Sequence, residues 1–187
     1  MKTEQQYFEE SMSMADYMEQ MTTNLKEPSF EVYNNFNVNP EDEVFVLLKN
    51  SKPHILAITE DWCGDAMLNN PVIRKIAEEA GLDIRCAFRD ADTELIDRHL
   101  TNGGRAIPIY LFLNDQGEVI AKWGPRAPEL QQLVTEMRAG LPDKEDPQFE
   151  VKQKELYTSL QRKYVDDPQC AKWVYEDMKA VITKALS

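Results

Sequence analysis

The chain has 187 residues, 42% of them hydrophobic, which suffices for one well-buried domain and falls short of two of ordinary size. Its 33 acidic against 21 basic side chains give a formal charge of -12, which argues against nucleic acid or an anionic membrane as partner, since no basic patch interrupts it. No apolar run nears the ~18 residues of a membrane span and the start, MKTEQQYFEESMSM, has no secretory h-region, so the expected setting is cytoplasmic.

In chain order, residues 1 to 27 read as an N-terminal helical extension. Tyr7, Met14, Tyr17, Met18, Met21 and Leu25 recur in steps of seven, three and four, as one face of an amphipathic helix running to about Asn24. Residues Lys26 to Val38 give no clear signal, because Phe30 and Val32 alternate weakly among turn-forming asparagines. Asn39-Pro40 followed by three acids then predicts a helix from Asn39 to about Asn50. His54 to Thr59, HILAIT, is a short apolar run suited to a strand buried on both faces. Gly64 to Ala80 follows as a helix stopped by Gly81 and kinked by Pro71. Leu82 to Phe88 alternates as a second strand, so strand, helix and strand form a right-handed parallel crossover.

A short helix is expected over Asp92 to Leu100, closed by Asn102-Gly103-Gly104. Ile109 to Leu113 and Val119 to Trp123 flank Asn114-Asp115-Gln116-Gly117 as an antiparallel hairpin. Glu129 to Ala139 has helical spacing and ends at Gly140, which closes a central domain of residues 28 to 141. Residues 142 to 187 form a C-terminal helical extension: a linker, then two helical runs parted by Asp166-Asp167-Pro168. Both extensions are expected to pack on the central domain and leave the surface beside Cys63 open. The alternative is that their apolar stripes meet in a homodimer.

Three cysteines, at 63, 86 and 170, have no paired spacing and read as free thiols in a reducing compartment. Cys63 differs from the others by position. Trp62-Cys63-Gly64 lies between a buried strand and a helix start, where unpaired N–H groups and the helix dipole favour a thiolate. Here the chain resembles the thioredoxin family. Trp62-Cys63-Gly64 matches the start of that family's redox motif, Pro71 its helix kink, and Ile107-Pro108 its cis-proline loop, with Arg105 and Gly124 also in place. The resemblance covers roughly Phe30 to Leu141 and implies an α/β fold, a thioredoxin-like mixed sheet flanked by helices. It further implies that Cys63 faces Pro108 across a shallow groove where the Ile107 backbone pairs with an extended substrate. Trp62, Gly64, Asp65 and Arg105 would border that groove.

The departures from the family shape the chemistry. Its second cysteine is Ala66 here, its motif proline is Asp65, and its buried acid on the preceding strand is Ala57. Without a second thiol, Cys63 captures a partner and release waits for an external thiol. A helix start lowers and an adjacent carboxylate raises the thiol pKa by comparable amounts, so the sequence leaves that contest open. Cys86 and Cys170 read as packing residues. His54, His99, Cys63 and Asp65 fit no zinc spacing, and Glu60-Asp61 reads as a solvated loop edge. The expected function is a thiol protein forming mixed disulfides through Cys63 with a low-molecular-weight thiol or a client protein disulfide, without cofactor or metal. The competing reading is a non-catalytic binding or adaptor module on the same fold.

Overall fold

A computed structural model describes residues 1–187. The first twenty residues do not form one helix. Thr3 and Gln6 cap α1 (Glu4–Glu10) reciprocally, and the Ser11 hydroxyl then donates to the Tyr7 carbonyl at 2.6 Å as the helix ends. Met12–Ser13 runs extended as β1, and Ser13 caps α2 (Met14–Gln20) by accepting from the Asp16 N–H. The two serines break the helix because their hydroxyls serve the backbone locally at its ends. The apolar stripe still reaches the core, split between two faces of the sheet. Tyr7 and Phe8 pack on one face with Leu56 and Ile58, while Met14, Tyr17 and Met18 pack on the other with Ile55 and Ala57.

The stretch without a clear signal folds as α3 (Lys26–Asn35), with Pro28 tolerated in its first turn, where no helical N–H bond is due. The next helix starts later than the Asn39-Pro40 cap predicts. Asn39 instead closes a local turn, its side chain accepting from the Glu41 N–H at 3.1 Å and donating to Asp42 at 3.2 Å, and α4 spans Glu43–Ser51.

Strand β2 (His54–Thr59), helix α5 (Gly64–Ala80) and strand β3 (Ile84–Phe88) form the parallel crossover. Met67, Leu68, Val72, Ile73 and Ile76 are all buried, as the helical spacing predicts. Strand β3 begins two residues late because Leu82 completes the helix end: its N–H donates to the Ala77 carbonyl at 2.8 Å, with Gly81 left-handed at φ 71°. Helix α6 (Thr93–Asp97) is shorter than expected, and a tight turn from Thr101 to Gly104 follows. Strands β4 (Ile109–Leu113) and β5 (Val119–Trp123) form the hairpin, which completes a mixed sheet in the order β1-β3-β2-β4-β5. The chain closes with α7 (Pro128–Ala139), α8 (Phe149–Asp166) and α9 (Pro168–Leu186).

Both ends of the chain belong to this packing. Strand β1 pairs antiparallel with β3 at the sheet edge. Leu160, Tyr164, Val174, Met178 and Ile182 of α8 and α9 sit in the larger apolar cluster with α5, and each such buried side chain contributes ~1.5 to 3 kcal/mol. Polar ties reinforce the contact, since Lys179 pairs with Asp42 at 2.8 Å and the Trp123 indole donates to Asp177 at 2.7 Å. No helix is long and apolar enough to cross a membrane.

Candidate functional site

Strand β2 ends at Thr59, and four residues later Cys63 caps the N-terminus of α5 in extended geometry. Its N–H donates to the Glu60 carbonyl at 3.3 Å, and its carbonyl accepts from Met67 at 3.0 Å, so the cysteine is fixed from both sides. The Ile107-Pro108 peptide bond is cis, as the family resemblance implies. Cys63 and the cis-proline loop do meet: the thiol donates to the Ile107 carbonyl at 3.5 Å. That side is closed, however. Ile107 is 5% exposed, Pro108 is buried, and Ile107 packs in one apolar cluster with Cys63 and Ala66. The Ile107 carbonyl, expected to pair with an extended substrate, is thus engaged by the Cys63 thiol.

The open side of Cys63 lies toward the C-terminal extension. A cavity of about 410 Å³ is lined by Trp62, Cys63, Gly64 and Asp65, by Arg126 and Arg138, and by residues of α8. The expectation that the end helices leave the surface beside Cys63 open is thus corrected. Leu156, Leu160 and Tyr164 carry α8 onto the core, which brings Gln161 over Gly64. A Cβ at Gly64 would stand 3.1 Å from Gln161 Nε2, so glycine permits this close approach.

Asp65 holds the cavity together. Its carboxylate accepts from the Tyr164 hydroxyl at 2.8 Å and pairs with Arg126 at 2.8 Å, which ties α5, α8 and the segment after β5 to one group. This geometry also decides the contest over the thiol. Burial comes first and, with the Asp65 charge adding to it, pushes Cys63 up to about 12. The N–H groups of Ala66 and Asp65 and the Arg126 charge pull the other way and lose. The resting thiol is protonated, contrary to the thiolate suggested by a helix start alone.

Trp62 is half exposed, with the Arg89 guanidinium 4.9 Å from its ring centroid. The Arg105 guanidinium grips Asp97 at 2.7 and 2.9 Å, and its carbonyl accepts from Arg89 at 3.1 Å. Ala57 is fully buried with no acid beside it. Behind the motif, buried Tyr110 donates to Asn70 at 2.5 Å, and Asn70 donates to Thr59 at 3.2 Å. Of the pair expected at a solvated edge, Glu60 is buried and Asp61 partly exposed. Glu60 is 9% exposed and accepts from the Asp90 N–H, and Asp61 accepts from the Thr22 N–H and hydroxyl, so both hold neighbouring loops.

The other thiols are more deeply buried than Cys63. Cys86 is 2% exposed and lies 3.5 Å from the Met14 sulfur, and burial pushes its thiol up. Cys170 is pushed up less, to about 11, but has no exposed surface. All three cysteines are free. His54 bonds Gln5 and His99 bonds Glu4, and no group of His, Cys, Asp and Glu gathers in a metal-binding arrangement.

Arg126, Arg138, Tyr157 and Gln161 were not singled out by sequence reasoning. Tyr157, Leu160, Gln161 and Tyr164 do show a usable signal, since their spacing places them on one helix face. The arginines have no comparable local pattern.

The thioredoxin family's sequence profile matches residues 11–138, and the chain belongs to the thioredoxin family. Among curated proteins, none matches it. Two solved structures share its fold: a protein of unknown function from Pseudomonas aeruginosa, 14% identical with a TM-score of 0.66, and an HIV epitope-scaffold, 13% identical with a TM-score of 0.64. The first likeness covers 99% of both chains, the second 98% of this chain and 99% of the scaffold, so the terminal helices fall within the shared architecture.

Proposed function

We propose that this thioredoxin-family chain is a monothiol protein that forms mixed disulfides through Cys63. The observation that carries the reading is position: Cys63 alone among the three thiols caps a helix start against the cis-Pro108 loop, and it lines the cavity under α8. In the exchange, the Cys63 thiol loses its proton and its sulfur attacks one sulfur of a partner disulfide R–S–S–R. The S–S bond breaks, Cys63–S–S–R forms, and the departing RS⁻ takes up a proton as one half of the partner is reduced. Ala66 supplies no resolving sulfur, and Cys86 and Cys170 are 2% and 0% exposed. A second thiol, R′SH, must therefore attack the R sulfur, releasing R–S–S–R′ and restoring the Cys63 thiol. Trp62, Gly64 and Asp65 line the approach, Ile107 and Pro108 back the sulfur, and Arg105 contributes through its backbone to the loop behind Trp62. Three free thiols support a reducing, cytoplasmic setting.

A non-catalytic binding module is the second reading, favoured by the thiol pushed up to about 12. Intact mass after exposure to 2-hydroxyethyl disulfide separates the two. The monothiol reading expects one adduct, absent in Cys63→Ser and removed by excess thiol. An unmodified wild-type chain after prolonged exposure at pH 8 would favour the binding module.

A further inference from the structure

The cavity beside Cys63 differs in charge from the chain around it. The protein carries -12, yet the charged side chains on the cavity wall are Arg126, Arg138 and Asp65, two cations to one anion. Asp65 and Arg126 satisfy each other at 2.8 Å, although Arg126 Nε stays buried without a hydrogen-bond partner. Arg138 is paired with no carboxylate. Its guanidinium donates to the Tyr157 hydroxyl at 3.0 Å, and its other N–H groups remain for a ligand. An arginine so placed presents a planar fork suited to a carboxylate.

Shape argues in the same direction. A volume of about 410 Å³ lies at the small end of ordinary small-molecule sites. An extended polypeptide would find the Ile107 carbonyl already engaged by the Cys63 thiol and Ile107 only 5% exposed. Helix α8 stands over Gly64 on the opposite side.

Resting on the mixed-disulfide reading above, we infer that the cavity takes a low-molecular-weight thiol or disulfide bearing a carboxylate, with the anion on Arg138 and the sulfur at Cys63. The exchange is the one already written, with R a short carboxylate-bearing group. The local cation must overcome the net negative field of the chain, which is what makes the charge preference diagnostic.

The full chain is treated at pH 8 with three small disulfides of similar size: 3,3′-dithiodipropionate, 2-hydroxyethyl disulfide and cystamine. The rate of Cys63 adduct formation is followed by intact mass and divided by the rate of each disulfide with free N-acetylcysteine amide, which removes leaving-group differences. The expected normalised order is anionic, then neutral, then cationic. Arg138→Gln should slow the anionic reagent severalfold and leave the neutral one little changed, with an unaltered unfolding midpoint because Arg138 is exposed. The reverse order, which net charge alone dictates, would overturn the inference, as would equal slowing of all three in Arg138→Gln. If no reagent modifies Cys63, the mixed-disulfide reading fails by itself. The anion site is then judged by titrating Cys63→Ser with 3,3′-thiodipropionate and following Arg138 and Tyr157 by NMR. Saturable shifts lost in Arg138→Gln support the site, and their absence refutes it.

Discussion

The two sides of Cys63 are built differently. Toward Pro108 the wall is apolar and closed, with Ile107 and Ala66 packed against the cysteine in one cluster. Toward α8 the wall is charged and hollow, with Asp65, Arg126 and Arg138 around an open volume. The family resemblance directs a partner to the first side, whereas the packing of this chain opens a cavity on the second. A shared motif thus places the sulfur, but the residues outside the motif decide what can approach it. The same contrast bears on the thiol: burial raises it, and the hollow side supplies both the carboxylate that adds to this and the arginine that opposes it.

The harshest way to break the contrast is to remove the hollow side. Truncation after Leu141 deletes α8 and α9 with Leu160, Tyr164, Val174, Met178 and Ile182, all buried. At ~1.5 to 3 kcal/mol for each such side chain, the loss rivals the whole stability of a domain. Loss of a cooperative thermal transition is expected; an unchanged midpoint would show that α8 does not build the site. Tyr164→Ala is the next largest perturbation, because it empties a fully buried aromatic position and should cost about 3 to 5 kcal/mol in urea denaturation. Tyr164→Phe keeps the ring and loses only the bond to Asp65, at about 1.5 to 3 kcal/mol for a charged partner.

A finer test concerns reactivity. Asp65→Asn removes the carboxylate that raises Cys63 and frees Arg126, both of which favour the thiolate. Alkylation of Cys63 by iodoacetamide at pH 8 should quicken severalfold, and an unchanged rate would show that the charged wall does not reach the sulfur. In the wild type, a thiol pushed up to about 12 should alkylate about tenfold faster per pH unit from 7 to beyond 10, without a plateau. The sign for stability follows. The folded state holds Cys63 protonated above its ordinary 9.0, so this contribution is complete below pH 9 and is lost between 9.0 and about 12, as the unfolded chain ionises first. The unfolding midpoint should fall over that window, less steeply in Cys63→Ser.

Much of this arrangement was legible in the residues. HILAIT, the Gly64 to Ala80 helix with its Gly81 stop, and the hairpin around Asn114-Asp115-Gln116-Gly117 stand where periodicity and turn chemistry put them, because their signals are local. The errors fall where a side chain had two possible uses. Asn39 closes a turn instead of capping α4, Ser11 and Ser13 divide one expected helix into two, and Glu60 bonds a backbone N–H thirty residues away instead of facing water. At the site, Cys63, Gly64 and the cis-Pro108 loop were readable from the motif. Arg126 and Tyr164 were not tied to it, since their meeting with Asp65 depends on how α8 returns across the domain. The Cys63 pKa escaped for the same reason: the helix start and the adjacent Asp65 were visible in one dimension, but desolvation, which decides the contest, belongs to the packed molecule.

The most direct test of the two-sided site is where a small group attached to Cys63 comes to rest. The wild-type chain is converted to its mixed disulfide with 2-mercaptoethanol, and NOEs from the adduct methylenes are assigned by NMR. Contacts to the Tyr157 ring and the Leu160 methyls would place the adduct in the cavity under α8, as this account expects. Contacts confined to Ile107 and Pro108 would contradict it.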